Sequence, residues 1–152
     1  MKAVIQRVLK ASVEVDGKII SSIDHGFMIL LGIYFDDTER EAELLAKKTA
    51  ALRIFSDSDD KMNLSLLDVG GDVLVVSNFT LCADTRKGNR PSFSNAMEPK
   101  RACELYNLYA EKLKIAGVKR VETGIFGADM KVALCNDGPV TVILDTDTWK
   151  KD

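Results

Sequence analysis

Two short segments carry the residue types that could do chemistry. The first is Ser77-Asn78-Phe79-Thr80-Leu81, polar groups and an aromatic ring placed directly after the apolar run Val73–Val76. The second is Asn136-Asp137-Gly138-Pro139-Val140-Thr141, set between the apolar stretches Val132–Leu134 and Val140–Leu144. Glycine supplies backbone freedom, while proline removes a donor and fixes φ. Gly138-Pro139 therefore presents a rigid, exposed pair of carbonyl groups at a strand end. The same residues also read as an ordinary turn, because Gly and Pro punctuate most loops. Two such segments in one small chain suggest a site built from strand ends.

Thr80 offers a hydroxyl on a strand-to-loop turn. As a nucleophile it needs a neighbouring base, and the sequence puts none beside it. The backbone N–H groups of the turn are an alternative, able to hold an oxyanion without any side chain. Tying down the turn is a third role for the hydroxyl. Phe79 reads either as a stacking surface for a base or as a core residue. The single histidine, His25, lies in Asp24-His25-Gly26 and reads as a polar turn residue with no Gly-x-Ser-x-Gly elbow to serve. There is no phosphate-binding loop, dinucleotide fingerprint or His-Glu-x-x-His pattern. Acyl transfer or ester hydrolysis remains.

The elements that must position these residues follow from periodicity. Ala3–Leu9 and Ser12–Val15 predict strands, and Asp16-Gly17 predicts a hairpin turn into a strand at Lys18–Ile23. Phe27–Ile33 is nearly continuous in apolar residues, as expected of a strand buried on both faces. Thr38 with Glu41 forms a capping-box pattern opening a helix, whose Ala42, Leu45, Thr49 and Leu52 share one face. Arg53–Phe55 is expected to resume the sheet before a polar loop around Asp57–Lys61, and Gly70-Gly71 to turn the chain into the strand Asp72–Ser77. Residues 81–97 lack periodicity and predict a long ordered loop. Pro99 and Gly117 bracket a second helix with the stripe Ala102, Leu105, Tyr106, Tyr109, Leu113 and Ala116. Strands at Val118–Thr123, Met130–Cys135 and Val140–Leu144 complete the pattern. The fold class is α/β: one domain over residues 1–152, with sheets packed in a β/β/α layered, barrel-like arrangement and two main helices.

Composition removes whole classes of function. The chain has 152 residues with 46% hydrophobic and 29% charged residues, ordinary for a globular protein that buries a substantial core. A net charge of −2 argues against broad, charge-driven binding to nucleic acid. A local basic patch of Arg86, Lys87 and Arg90, followed by Lys100 and Arg101, reads either as a solvated loop or as a contact for one RNA end. No apolar run approaches the ~20 residues needed to span a bilayer. Met1–Arg7 lacks the apolar core and cleavage site of a signal peptide, so a cytoplasmic location is expected and no membrane partner. Cys82, Cys103 and Cys135 are odd in number and far apart, which predicts neither a disulfide framework nor a zinc site. Cys135 reads as a small core residue rather than a nucleophile. No metal or cofactor is expected.

These residues carry a resemblance. Ile5-Gln6-Arg7-Val8, Ala11-Ser12-Val13, Arg53-Ile54-Phe55-Ser56-Asp57, Lys61-Met62-Asn63, Ser77–Leu81, Ala83-Asp84-Thr85, Arg90-Pro91-Ser92-Phe93, Ala128-Asp129-Met130 and Asn136–Thr141 occur in one order over nearly the whole chain. In these the sequence resembles the D-aminoacyl-tRNA deacylase family, also called D-tyrosyl-tRNA deacylase. The resemblance implies a homodimer that hydrolyses the ester joining a D-amino acid, or glycine, to the 3′ end of tRNA. It implies that Gly138-Pro139, with its peptide bond in cis, enters the partner's active site and leaves no room for an L side chain. Ser77, Asn78, Phe79 and Thr80 are then expected at the pocket, with Phe79 near the terminal adenine and Phe126 and Met130 as further walls. Backbone N–H groups around Phe79 and Thr80 are expected to hold the oxyanion, and the tRNA's 2′-hydroxyl to help activate water. The family usually has Gln where this chain has Asn78, which keeps the amide and loses a methylene. For such a dimer the interface is expected at the exposed strand-end region with loop 81–97, whose Phe93 and Pro91 would otherwise be apolar residues on a mobile loop. Two other readings are a sister activity that removes L-alanine from a threonine tRNA, and a non-catalytic dimer that only binds nucleotides or tRNA ends.

Overall fold

One long strand organises the molecule. In the computed structural model, which describes residues 1–149, β1 (Lys2–Val15) uses both edges. Along one edge its first half pairs antiparallel with β3 (Gly26–Gly32) and its second half with β2 (Lys18–Ile23). Along the other edge runs β8 (Lys131–Asp145), antiparallel over the full length. Parallel pairing then adds β6 (Asp72–Ser77) to β3 and β7 (Val121–Thr123) to β6. The six strands curl into a nearly closed, barrel-like mixed sheet.

Two apolar clusters explain why β3 and β6 read as unbroken hydrophobic runs. Phe27, Ile29 and Leu31 of β3, with Val73 and Val75 of β6, face the helices. The alternate residues Met28, Leu74 and Val76 face the barrel interior, where Val8, Ala11, Val13 and Ile23 meet them. A strand buried on both faces has no polar position to spare. Over the first cluster lie α1 (Glu39–Ala50) and α3 (Pro99–Ile115), joined by the buried hydrogen bond between Thr49 Oγ1 and Tyr109 Oη at 2.9 Å. Thr38 and Glu41 form the expected capping box, and Pro99 opens α3 with Glu98 capping it.

Several boundaries differ from expectation. The two predicted strands before Asp16 are one, β1, because a local register shift lets the chain continue past Leu9 and Lys10. The predicted strands Met130–Cys135 and Val140–Leu144 are also one, β8: Gly138-Pro139 is a bulge within a strand, not a turn between two. Residues 137–140 stand opposite Arg7 alone, so the extra backbone is pushed out while pairing resumes on both sides. Arg53–Phe55 does not rejoin the main sheet. Instead β4 (Phe55–Ser56) pairs with β5 (Met62–Leu64) as a separate ribbon. A short helix, α2 (Leu66–Val69), follows with a Ser65/Asp68 capping box and ends at Gly70 in the left-handed region. Val118–Thr123 is strand only from Val121, and Leu52 lies beyond α1 while still packing on the core. Cys135 is exposed, not core, because it shares the outward-pointing set of β8 with Lys131 and Ala133. At the chain's end Trp149 packs on the first cluster, and Lys150–Asp152 of the C-terminal tail lie outside the described residues.

The bulge is braced from inside. Arg7, buried at 9% exposure, donates from Nε to the Asp137 carbonyl at 2.9 Å and from Nη1 to the Ile54 carbonyl at 2.6 Å. Removing it strands two carbonyls and leaves a void. Arg7→Ala is expected to lower stability by about 3 kcal/mol, measured by urea denaturation. A change below about 1 kcal/mol would mean that the bulge holds itself.

Candidate active site

At the end of β6 the chain leaves the sheet abruptly. Ser77 still pairs with Leu31, and the Asn78 N–H donates to the Leu31 carbonyl at 2.8 Å. The next residues, Phe79–Cys82, wind into one 3-10 turn that lies over the end of β3. Gly32 permits this: a Cβ there would sit 2.8 Å from the Leu81 Cβ. Tyr34 Oη donates to the Leu81 carbonyl at 3.3 Å and pins the turn from the other side. Behind it Cys82 is buried, which pushes its thiol up to about 11 and keeps it neutral.

A 3-10 turn leaves its first N–H groups without partners. Leu81 N–H reaches the Asn78 carbonyl and Ala83 N–H the Thr80 carbonyl, while Phe79 and Thr80 N–H find no acceptor among the described residues. Asparagine at such a start ordinarily caps those groups with its side chain. Here it does not: Asn78 Oδ1 accepts from Thr80 Oγ1 at 2.5 Å instead. The Thr80 hydroxyl is thereby spent on a neutral amide. The histidine that might serve it is remote, because His25 precedes Gly26 at the far end of β3. Five residue steps of strand separate Gly26 from Leu31, roughly 16 Å.

Beside the turn opens a cavity of about 760 Å³ with mostly apolar walls. It joins Ser77, Asn78, Phe79, Phe126 and Met130, which the sequence reading had placed together from three separate segments. Phe79 is 60% exposed, so it is a surface rather than a core residue. Its ring meets Phe93 edge-on, centroids 5.1 Å apart. Phe126 leans on Tyr106, whose hydroxyl donates to the Val75 carbonyl at 2.8 Å. Met130 packs into the barrel cluster and closes on Gly124.

Three expected site residues are not in these walls. Thr80 is exposed beside the cavity, and Gly138 and Pro139 are exposed on the β8 bulge. The Gly138–Pro139 peptide bond is cis, and Gly138 has φ +144°, a value that favours glycine. Asn136 clasps the bulge, its Oδ1 accepting from Val140 N–H at 2.7 Å and its Nδ2 donating to the Val140 carbonyl at 3.1 Å. The sequence reading missed the roles of Arg7 and Gly32. An arginine inside the alternating strand Ile5-Gln6-Arg7-Val8 was the available signal for the first, while Gly32 at a strand end gave none. Among the described residues, no cluster of His, Cys, Asp and Glu is suited to a metal, and no helix is long and apolar enough to cross a membrane.

The sequence model describing the D-Tyr-tRNA(Tyr) deacylase family matches residues 4–145. A D-aminoacyl-tRNA deacylase of Roseiflexus castenholzii is 55% identical over 151 residues, covering 99% of this chain and 96% of that protein. One from Lacticaseibacillus casei is 54% identical over 147 residues, with 97% and 99% covered. Among solved structures, the c-Myc DNA Unwinding Element Binding Protein superposes with a TM-score of 0.90 at 44% identity, covering 95% of this chain and 98% of the other. A probable eukaryotic D-amino acid tRNA deacylase shares the fold, with a TM-score of 0.81 at 17% identity and coverage of 94% and 97%. With relatives more than half identical along nearly their whole length, the chain belongs to the D-Tyr-tRNA(Tyr) deacylase family.

Proposed function

We propose that this chain hydrolyses the ester bond between a D-amino acid and the 3′ end of tRNA, releasing free D-amino acid and tRNA. It thereby acts in the cytoplasm as a chiral proofreader of translation. The observation that carries the mechanism is the pair of N–H groups of Phe79 and Thr80, without an acceptor among the described residues, at the mouth of a mostly apolar cavity whose two carboxylates, Glu98 and Asp129, are engaged by the α3 N–H groups and by Lys131. Water attacks the ester carbon, and the charge that builds on its oxygen is met by those two N–H groups. The tRNA's 2′-hydroxyl orients the water and relays its proton, accepting it while passing the hydroxyl's own proton to the 3′ oxygen. The bond to the 3′ oxygen then breaks as that oxygen receives a proton. Phe79 offers its exposed face to the terminal adenine, and Ser77, Asn78, Phe126 and Met130 shape the space around it.

Stereochemical choice falls to Gly138-Pro139. Exposed on their own chain and absent from its cavity walls, their carbonyls serve a second copy. The active form is therefore a homodimer, docked not at the expected loop 81–97, whose Phe93 packs on Phe79 at its own cavity, but along the outer face of β8 and neighbouring β1, where Ile143 is 63% and Leu9 53% exposed. Rigid backbone clashes with an L side chain, leaves a D side chain in solvent, and meets no side chain at all on glycine. With purified protein, D-tyrosyl-, D-aspartyl- and glycyl-tRNA should all be deacylated, and L-tyrosyl-tRNA at least ~10²-fold more slowly. Comparable cleavage of the two tyrosyl enantiomers would contradict exclusion by backbone. Binding without release of free amino acid would make the protein a carrier instead.

A further inference from the structure

We infer that loop 84–92 and the first turn of α3 form a phosphate-binding rim. There Lys87, Arg90 and Lys100 hold the sugar-phosphate backbone of the tRNA strand that leads into the cavity. The inference rests on the deacylase reading above and adds the surface that the rest of the substrate must cross.

The walls of the cavity are apolar, so a nucleoside enters and its charged phosphates stay outside. The cations around the mouth separate into two kinds. Arg86 is held by Asp84 through paired contacts, with Nη2 to Oδ2 at 2.6 Å and Nε to Oδ1 at 2.9 Å. Arg101 is tied to Glu39 and Glu104, and Lys131 bridges both oxygens of Asp129 at 3.0 Å. Glu98 spends its carboxylate on the Lys100 and Arg101 N–H groups. Each of these carboxylates has a partner (for Glu98, backbone N–H groups alone), and Lys87, Arg90 and Lys100 are left exposed with no ion pair among the described residues.

The base of the loop that carries two of them is anchored. Asp84 and Ser92 exchange two backbone hydrogen bonds, at 2.8 and 2.9 Å, closing the neck of the loop. Just beyond it Phe93 meets Phe79 edge to face, and Met97 N–H donates to the Ile33 carbonyl at 2.9 Å. The loop tip, turning at Gly88 with φ +67°, therefore stands out from an anchored base beside the aromatic pair. Pro99, a cavity wall, immediately precedes Lys100 on the other side. A strand leaving the Phe79–Phe93 platform meets Lys87 and Arg90 from the loop and Lys100 from α3, cations without an ion pair among the described residues.

Salt dependence tests this directly. Each phosphate neutralised on a single strand contributes a slope of about −0.7 in log K against log salt. The triple variant Lys87→Ala, Arg90→Ala, Lys100→Ala should lose about 2 from the slope for binding deacylated tRNA. Its KM for D-tyrosyl-tRNA should rise roughly 50-fold near physiological salt. Hydrolysis of D-tyrosyl-adenosine, which has no phosphates, should be unchanged. Removing an ion pair as a whole, Asp84→Asn with Arg86→Gln, should move neither quantity, and the charge-keeping triple Lys87→Arg, Arg90→Lys, Lys100→Arg should restore the slope. An unaltered slope in the alanine triple, an equal effect in the Asp84 and Arg86 variant, or an equal loss on D-tyrosyl-adenosine would overturn the rim. Failure of the wild type to cleave either substrate would instead overturn the deacylase reading, while the tRNA slope still decides the rim.

Discussion

Replacing Phe79 with proline is expected to lower kcat on D-tyrosyl-tRNA by ~10²–10³ beyond the loss caused by Phe79→Ala, because it deletes one oxyanion donor. The backbone is suited to the substitution. Phe79 is the first residue of the 3-10 turn, where proline is tolerated, and Asn78 before it is already extended at φ −146° and ψ 91°. Alanine removes the ring alone, proline the ring and the N–H, so their difference isolates the donor. Thr80→Ala makes the complementary comparison. Its hydroxyl is committed to Asn78 Oδ1 and no base stands near it, so most activity should survive. Steady-state and single-turnover kinetics on folded variants read both. Equal rates for Phe79→Pro and Phe79→Ala would remove the N–H from the mechanism. Collapse of Thr80→Ala, together with an acyl-enzyme trapped on the wild type, would make the hydroxyl a nucleophile.

The local features of the fold were legible where a single residue type has a single physical use. Thr38 and Glu41 announce a helix start because a hydroxyl and a carboxylate three residues on satisfy its orphan donors. Phe27–Ile33 announces a strand with two apolar faces, and the two core clusters supply both. Gly138-Pro139 was misread as the end of a strand for a physical reason. Its residues carry the signature of a turn, and only pairing with β1 on both sides reveals a bulge. That pairing depends on Arg7, more than a hundred positions away, and short-range pattern contains nothing of it.

The site divides in the same way. Ser77–Leu81 stood out as polar residues after an apolar strand, and Phe126 and Met130 entered through resemblance to the family. The cavity brings these together. What no pattern supplied was the closeness of Gly32 to Leu81, or the bond by which Asn78 turns its side chain away from the N–H groups it would normally cap. Nor did spacing sort the basic residues: Arg86 and Arg101 look like Lys87 and Arg90 in sequence, and only their acidic partners distinguish them.

A site completed across two subunits is open to a mixing experiment with the largest contrast of all. One variant carries Phe79→Pro, which spoils the turn and keeps the bulge. The other carries Gly138→Ala, which spoils the bulge: a Cβ at φ +144° would sit 2.7 Å from Val140 Cγ2 and 2.9 Å from Val140 N, displacing the carbonyls. Each homodimer should be nearly inactive on D-tyrosyl-tRNA, the first for want of an oxyanion donor and the second because the displaced carbonyls no longer hold the substrate's amino group. After random reassortment half of the dimers are mixed, and each mixed dimer has one site built from an intact turn and an intact bulge, so about a quarter of wild-type activity should return. The control is a heterodimer of wild type with a chain bearing both substitutions. Cross-subunit assembly leaves it inactive at both sites, since each then lacks one half. Recovery in the mixture with an inactive control is the predicted result; an inactive mixture with an active control would show that each subunit works alone.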